Sequence, residues 1–148
     1  MARYNRIFAG PTSENTPQVH EATSAVAVKP GRLVVNSAGA FALAGATTKG
    51  RVFVVSENTP CLKDVDTDYA IGETILAFEP LDEQVFRVRL ATGNSVVGGS
   101  ELSPAANGEL KLAATGEQVV FFASETYNNT TGSGQLVNAR AARGYIKP

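Results

Sequence analysis

Short apolar stretches alternate with polar residues along this 148-residue chain, and glycine or proline separates one stretch from the next. The segment SAVAVKPGRLVV predicts two strands joined by a turn at Pro30-Gly31. The stretch GRVFVVSE is continuously apolar from Val52 to Val55, which is typical of a strand buried on both faces. Further strands are predicted in GAFALAG, ETILAFEP, QVFRVRLATG and GQLVNARAARGYI. The last stretch also fits a short helical turn from Ala139 to Arg143, although we prefer a strand.

One unit of this pattern occurs twice, as AGAFALAGATTKGRVFVVSENT (38–59) and NGELKLAATGEQVVFFASET (107–126). The matching positions are Gly39 with Gly108, Phe41 with Leu110, Leu43 with Leu112, and Ser56-Glu57 with Ser124-Glu125. A hairpin buries only one face and is marginal alone, whereas two similar hairpins can close together and hide their edges. The repeat therefore predicts an all-β fold, a small β-barrel or β-sandwich built from two similar hairpin units around one shared core.

The first 24 residues lack the alternating apolar and polar pattern of the rest of the chain. Pro11, Pro17 and the polar residues between them interrupt any periodicity, after a short apolar patch at the start of the chain. We interpret residues 1–24 as an extended N-terminal arm and residues 25–148 as a β-barrel-like domain. The alternative is a first strand packed onto that domain. No uninterrupted apolar stretch indicates a secretory signal, so synthesis in a cytoplasm-like compartment is expected.

Composition and charge exclude several classes of function. A formal net charge of −1 argues against a nucleic-acid partner, which would require clustered Lys and Arg. No apolar run approaches the roughly 18 residues of a membrane span, so no membrane is expected either. The single cysteine, Cys61, excludes an intramolecular disulfide and a cysteine-built zinc site.

Residues suited to catalysis are scarce. His20 is the only histidine and lies in the predicted arm, where nothing would hold it in a catalytic geometry. Asp64, Asp66 and Asp68 have the spacing that begins a calcium loop, but Tyr69 and Ile75 stand where that loop needs Gly and Glu. We therefore expect a solvated acidic turn, with a weak adventitious cation site as the alternative. The chain is not expected to be an enzyme, to hold a metal or to need a cofactor.

Two sets of residues are candidates for contact with a partner. In VFRVRL, Val88 and Leu90 share one face of the predicted strand, and Arg87 and Arg89 share the other. If the last strand neighbours this one, four arginines would form a contact face for an acidic protein: Arg87, Arg89, Arg140 and Arg143. In the arm, Tyr4, Ile7 and Phe8 are candidate apolar anchors.

From about Val28 to Glu125 the chain resembles the small head decoration, or cement, proteins of tailed bacteriophages. The resemblance rests on the order of turn-and-strand signatures typical of that family. They are found at Gly31 and Leu33; at Gly72, Glu73 and Ile75; at Arg89, Leu90, Ala91 and Gly93; and at Gly99, Leu102, Asn107, Gly108 and Leu110. It implies a β-barrel-like structural protein on the outer surface of the expanded capsid, made in the host cytoplasm and incorporated into the virion.

The resemblance also implies the partners. They are the major capsid protein and further copies of this chain, with a trimer favoured and a dimer or a monomer as alternatives. An arm that orders against the major capsid protein is common in such proteins. Here Tyr4, Ile7 and Phe8 would be its anchors, and Arg3 and Arg6 would pair with capsid carboxylates. The alternative function is a carbohydrate-binding β domain of a fibre or adhesin, although Trp is absent and Tyr69, Tyr127 and Tyr145 are scattered.

Overall fold

The computed structural model describes residues 1–10 and 16–148, and this part of the chain forms strands and two short 3₁₀ helices but no α-helix. The strands of the first half are β1 (Phe8–Gly10), β2 (Gln18–Ser24), β3 (Leu33–Ser37), β4 (Ala40–Leu43), β5 (Phe53–Val55) and β6 (Thr74–Glu79). Those of the second half are β7 (Val85–Leu90), β8 (Ser95–Val96), β9 (Glu101–Pro104), β10 (Leu110–Leu112), β11 (Gln118–Ala123), β12 (Tyr127–Asn128) and β13 (Gln135–Ile146). The 3₁₀ helices span Thr59–Cys61 and Ala106–Gly108.

The first half closes into a barrel with the strand order β2-β4-β3-β5-β6. Its interior is a cluster of apolar side chains that includes Val34, Phe41, Phe53 and Ile75. Tyr69 also lies in this interior, and its hydroxyl donates a hydrogen bond to the carbonyl oxygen of Ser56 at 2.9 Å. Burial, with a smaller contribution from nearby carboxylates, raises the pKa of Tyr69 to about 12. The phenol therefore stays protonated and acts as an internal hydrogen-bond donor.

The second half closes in the same way. Strand β7 pairs with β10 on one side and with β13 on the other, which completes the ring β7-β10-β9-β11-β13. Each barrel contains one parallel contact, at Ser24 opposite Phe41 in the first and at Leu90 opposite Leu110 in the second. Strands β2, β3, β4, β5 and β6 thus correspond to β7, β9, β10, β11 and β13. The molecule consists of two barrels of identical strand order.

The all-β, small-barrel fold class is confirmed, and the repeat extends further than the sequence predicts. Each copy of the repeated unit lies in its own barrel rather than completing a shared one. The two strands of each copy are also not hairpin partners, because β3 lies between β4 and β5, and β9 lies between β10 and β11. The sequence match covers only two of the five strands in each barrel. It therefore indicates that a repeat exists but not that the repeated unit is a whole barrel.

The barrels are joined along a mixed apolar and polar seam. One apolar cluster contains Leu33 and Val54 of the first barrel together with Phe86 and Leu136 of the second. The buried guanidinium of Arg89 crosses this seam. It donates to the carbonyl oxygens of Pro30 at 2.9 Å and Gly134 at 3.0 Å, and also to the Val65 carbonyl and the Asp66 carboxylate.

Candidate functional site

The N-terminal segment, residues 1–10, lies against both barrels. Strand β1 pairs antiparallel with β7, and the N–H of Arg87 donates to the carbonyl oxygen of Ile7 at 2.6 Å. The Ile7 side chain is fully buried, and Phe8 packs on Phe86 and Phe78 with ring centroids 5.6 and 6.3 Å apart. In this conformation Ile7 presents no surface to another protein.

Two strands fall within the range predicted as an extended arm with little structure of its own. Strand β1 extends the sheet at β7, and β2 is a full member of the first barrel. The physical reason is that the apolar residues of the segment find buried positions, and that β7 has a stretch of edge beyond its contact with β10 that needs a partner. The predicted arm also includes residues 11–15, which lie outside the described residues.

The polar residues of the N-terminal segment meet one glutamate from each barrel. The Tyr4 hydroxyl lies 3.2 Å from Glu125 Oε2, and Arg3 forms an ion pair with the same carboxylate at 3.4 Å. Farther along, Arg6 pairs with Glu57 at 3.8 Å, and the Ile7 N–H donates to Glu57 at 3.3 Å. The segment is thus fixed at two glutamates, one on each barrel, and its Ala2 N–H also donates to Asp66 at 2.8 Å.

Glu57 and Glu125 occupy equivalent places in the two barrels. Each follows a serine whose N–H donates to the neighbouring strand, Ser56 to Leu76 at 2.8 Å and Ser124 to Asn138 at 2.9 Å. The sequence comparison aligns the two Ser-Glu pairs but assigns them no role. The signal that could have identified them is the repeated acidic residue after a buried strand. Glu125 also accepts a hydrogen bond from the Asn138 N–H of β13 at 2.6 Å.

The four arginines of the predicted contact face do not lie together. Strand β13 does pair with β7, as that prediction requires. Arg89 is nevertheless buried in the seam between the barrels, where burial lowers its pKa and the neighbouring Asp66 opposes this effect. The guanidinium of Arg87 lies 4.3 Å from the centre of the Tyr4 ring. Each of these two arginines therefore already has a partner within the chain.

Arg140 and Arg143 remain on the surface. They line an open groove of about 470 Å³ together with Phe122 and Tyr145, whose ring centroids are 6.2 Å apart. Arg143 Nε donates to Asp82 at 2.6 Å, whereas Arg140 has no polar partner among the described residues. The exposed part of the predicted contact face is thus this groove beside β13.

The acidic loop holds three separate carboxylates. Asp64 accepts hydrogen bonds from the Asp66 N–H and the Thr67 hydroxyl, and these bonds lower its pKa. Asp66 accepts from Ala2 and Arg89, and Asp68 pairs with Lys29 at 3.3 Å. Over residues 1–10 and 16–148, no group of three or more His, Cys, Asp or Glu side chains is placed to hold a metal ion. In the same part of the chain, no helix has the length and apolarity to span a membrane.

His20 lies on β2 at the open end of the first barrel. Its Nε2 is 2.9 Å from Glu79 Oε2, and its ring meets the Phe53 ring edge-on with centroids 5.1 Å apart. Glu79 also pairs with Arg51. These side chains stand beside an open cleft of about 720 Å³, which Lys49 and Asn36 also line. The only histidine is therefore held in place by neighbours, although the sequence predicts that nothing would hold it.

Comparison with known proteins adds a likeness of fold. No protein-family model and no curated protein matches the chain. Among solved structures, the chain is similar to the N base of head fiber gp8.5 of bacteriophage phi29, with a TM-score of 0.61 and 17% sequence identity. The match covers 90% of this chain and 100% of that one. At this identity the likeness is one of fold, and it extends over both barrels.

Proposed function

We propose that this chain is a structural protein of a phage head that attaches to the outer surface of the expanded capsid and stabilises it. The observation that carries the proposal is the fold likeness to the base of a phage head fiber, which covers 90% of this chain. The sequence resemblance to head decoration proteins supports the same role independently. The partner proposed is the major capsid protein, and the location is the outside of the virion, after synthesis in the host cytoplasm.

The N-terminal segment is the proposed capsid-binding element. Its charged contacts are weak, because Arg6 is 64% exposed and its ion pair with Glu57 spans 3.8 Å, a geometry worth about 0–1 kcal/mol. Arg3 and Arg6 can therefore exchange their partners for capsid carboxylates at little cost. Releasing Ile7 and Phe8 costs roughly 1.5–3 kcal/mol each. The free protein therefore keeps the segment docked, and only contacts on an assembled shell offset its release.

In this proposal, the affinity for the capsid comes from many identical binding sites on the shell. A shell offers many identical sites, so a symmetric oligomer with one weak grip per subunit binds far more tightly than a single copy. We propose a trimer, with a dimer as the alternative, and sedimentation equilibrium of the purified protein measures the state directly. A protein that remains monomeric at all concentrations and on the shell would remove the multivalent part of the proposal.

Co-sedimentation with capsids of the parent virus tests the function. Purified protein is mixed with unexpanded and with expanded undecorated shells, and we expect saturable binding to the expanded shell only. A variant that lacks residues 1–10 should lose most of this binding, whereas Thr92→Ala, at an exposed position outside the N-terminal segment and the predicted contact face, should retain it. Equal binding to both shells, or to neither, would reject the proposal.

A second candidate function is carbohydrate binding. The observation that favours it is the surface groove in which Phe122 and Tyr145 stand beside Arg140 and Arg143, since sugars pack on exposed aromatic rings. A glycan array probed with the wild type and with Tyr145→Ala tests it. Saturable binding of a glycan that the variant loses would support this function, and a blank array would exclude it.

A further inference from the structure

The two barrels differ at one stretch of strand edge. In the second barrel, the N–H groups on one side of β7 are all satisfied: Arg87 donates to Ile7, Arg89 to Gly31 and Ala91 to Leu110, at 2.6, 2.8 and 2.8 Å. Strand β1 therefore covers the part of β7 that extends beyond β10. The edge of the second barrel is complete.

The equivalent positions in the first barrel are Glu21, Thr23 and Ala25 of the β2 segment. Ala25 donates to Phe41 at 2.8 Å, just as Ala91 donates to Leu110. Ser24 donates to Glu73 on the opposite side, so alternate residues of β2 direct their backbone groups to opposite sides. Val19 and Glu21 thus present their backbone groups on the side away from β6. Among the described residues, no strand pairs with β2 along this stretch.

The side chains near this edge are polar in the first barrel, whereas their equivalents in the second barrel are apolar. The strand correspondence places His20 where the second barrel has Phe86, Glu79 where it has Ala141, and Arg51 where it has Val119. In the second barrel these positions are apolar, and Phe8 of β1 packs on Phe86. In the first barrel they are polar, and His20 and Arg51 line the open cleft that Lys49 also lines. Lys49 is exposed and has no polar partner among the described residues.

We propose that the free edge of β2 is a docking site for an extended, acidic segment of the capsid shell protein, which adds to it as an antiparallel strand. Strand β1 demonstrates the geometry, because it occupies the equivalent edge of the second barrel. The charges select the occupant: an aspartate or glutamate side chain on the added strand would face Lys49, the unpaired cation of the cleft among the described residues, beside Arg51, which pairs with Glu79. A second copy of β1 would place Phe8 against His20 and bring no carboxylate to Lys49, so the charges favour an acidic segment over another copy of this chain.

This inference rests on the proposed function for the source of the strand. In the proposed function, the N-terminal segment of this chain binds the shell. The inference adds a second attachment, in which a strand of the shell protein binds to this chain. The two attachments use different strands, β1 and β2, and can be separated by substitution.

Glu21→Pro is the sharpest test. The N–H of Glu21 points to the open side, so proline removes the donor that an added strand needs without removing a bond between β2 and β6. Glu21→Ala is the matched control, because it loses the same side chain and keeps the N–H. We expect Glu21→Pro to weaken binding to expanded capsids at least tenfold, and Glu21→Ala to bind like the wild type. Thermal melts of both variants check that the barrel is intact.

A charge reversal and a hydrogen-exchange measurement complete the test. Lys49→Glu should weaken binding several-fold and more than Lys49→Gln. On wild-type protein bound to capsids, backbone amides of residues 18–24 should exchange more slowly than in the free protein. Wild-type-like binding of Glu21→Pro, or unchanged exchange in this stretch, would overturn the proposal and leave capsid attachment standing. A wild type that does not bind capsids at all would overturn both.

Discussion

Two glutamates close tight turns in the same way. Glu117 accepts a hydrogen bond from the N–H of Ala114 at 2.8 Å, and Glu73 accepts one from the N–H of Ala70. Both turns have the sequence Ala-x-Gly-Glu, at 70–73 and 114–117. The Gly-Glu pair that the sequence resemblance singles out therefore has a local structural task, which is to satisfy the donor that opens the turn.

Glu117 should make stability depend on pH in the acid range. Hydrogen bonds from the Ala114 N–H and from Lys111 lower its pKa to about 2, below the value of about 4.3 expected in the unfolded chain. Its contribution is therefore present above about pH 4.3 and is lost as the pH falls through 2. We expect Glu117→Gln to be less stable by on the order of 1 kcal/mol at pH 7, since the group is partly solvated, and equal to the wild type near pH 2. Urea unfolding across this range measures the difference; a gap independent of pH would contradict it.

Gly39 and Gly108 form a matched pair for a second prediction. Both have positive φ, +86° and +69°, and they align in the repeat. A Cβ on Gly39 meets nothing, whereas one on Gly108 would lie 2.4 Å from the carbonyl oxygen of Leu33. Gly39→Ala should therefore cost only the backbone strain, about 1–2 kcal/mol. Gly108→Ala should lower the free energy of unfolding clearly more. Equal losses of stability for the two variants in thermal unfolding would show that the contact between this Cβ and the Leu33 carbonyl does not matter.

At the scale of elements, the seam between the barrels depends on Arg89. Arg89→Met keeps most of the packing but leaves three carbonyl oxygens and Asp66 without their donor, so we expect a loss of roughly 2–4 kcal/mol. Arg140→Met, on the exposed face of the same sheet, should change stability by less than about 0.5 kcal/mol. Denaturant unfolding of both variants provides the comparison, and similar losses would exclude a special role for the seam.

The N-terminal segment should loosen when its contacts with the two glutamates are removed. Trypsin cleaves after Arg3 and Arg6 only when the segment opens, so the cleavage rate reports its docking. Glu57→Ala and Glu125→Ala should each accelerate cleavage, and the double variant should accelerate it by about the product of the two factors, because the sites lie on different barrels. Glu83→Ala, an exposed glutamate away from the segment, is the control. A double variant that is cleaved no faster than the wild type would show that Ile7 and Phe8 alone hold the segment.

At the scale of the whole molecule, the strands were more predictable than their arrangement. Alternation and turn residues indicate β3, β4, β6 and β7 well, because local sequence determines both. The existence of a second barrel equivalent to the first cannot be predicted from the sequence in the same way. Equivalent positions such as His20 and Phe86 have diverged, so only the strands around the repeated Ser-Glu pairs still match.

The contacts of the candidate site could not be predicted from the sequence, and capsid binding by its residues stays a prediction. Tyr4, Ile7 and Phe8 stand out as apolar residues in a polar segment, which identifies them as contact residues. Their partners are Glu57, Phe86 and Glu125, far along the chain, and no local pattern connects them. Arg89 shows the converse case. An alternating pattern places it on the outer face of β7, and only the packing of the first barrel against that strand explains why the face is buried.

The docking of the N-terminal segment also fixes the order of events during synthesis. Its Tyr4 contacts Glu125 and Asn138, which are synthesised 121 and 134 residues later. At about 5–20 residues per second, the segment waits on the order of ten seconds for its resting place. The first barrel can close during that time and offer Phe78 to Phe8, but Arg3 and Tyr4 have no Glu125 to contact until β11 has been made. We therefore expect every newly made copy to pass through a form in which the start of the chain is only partly docked.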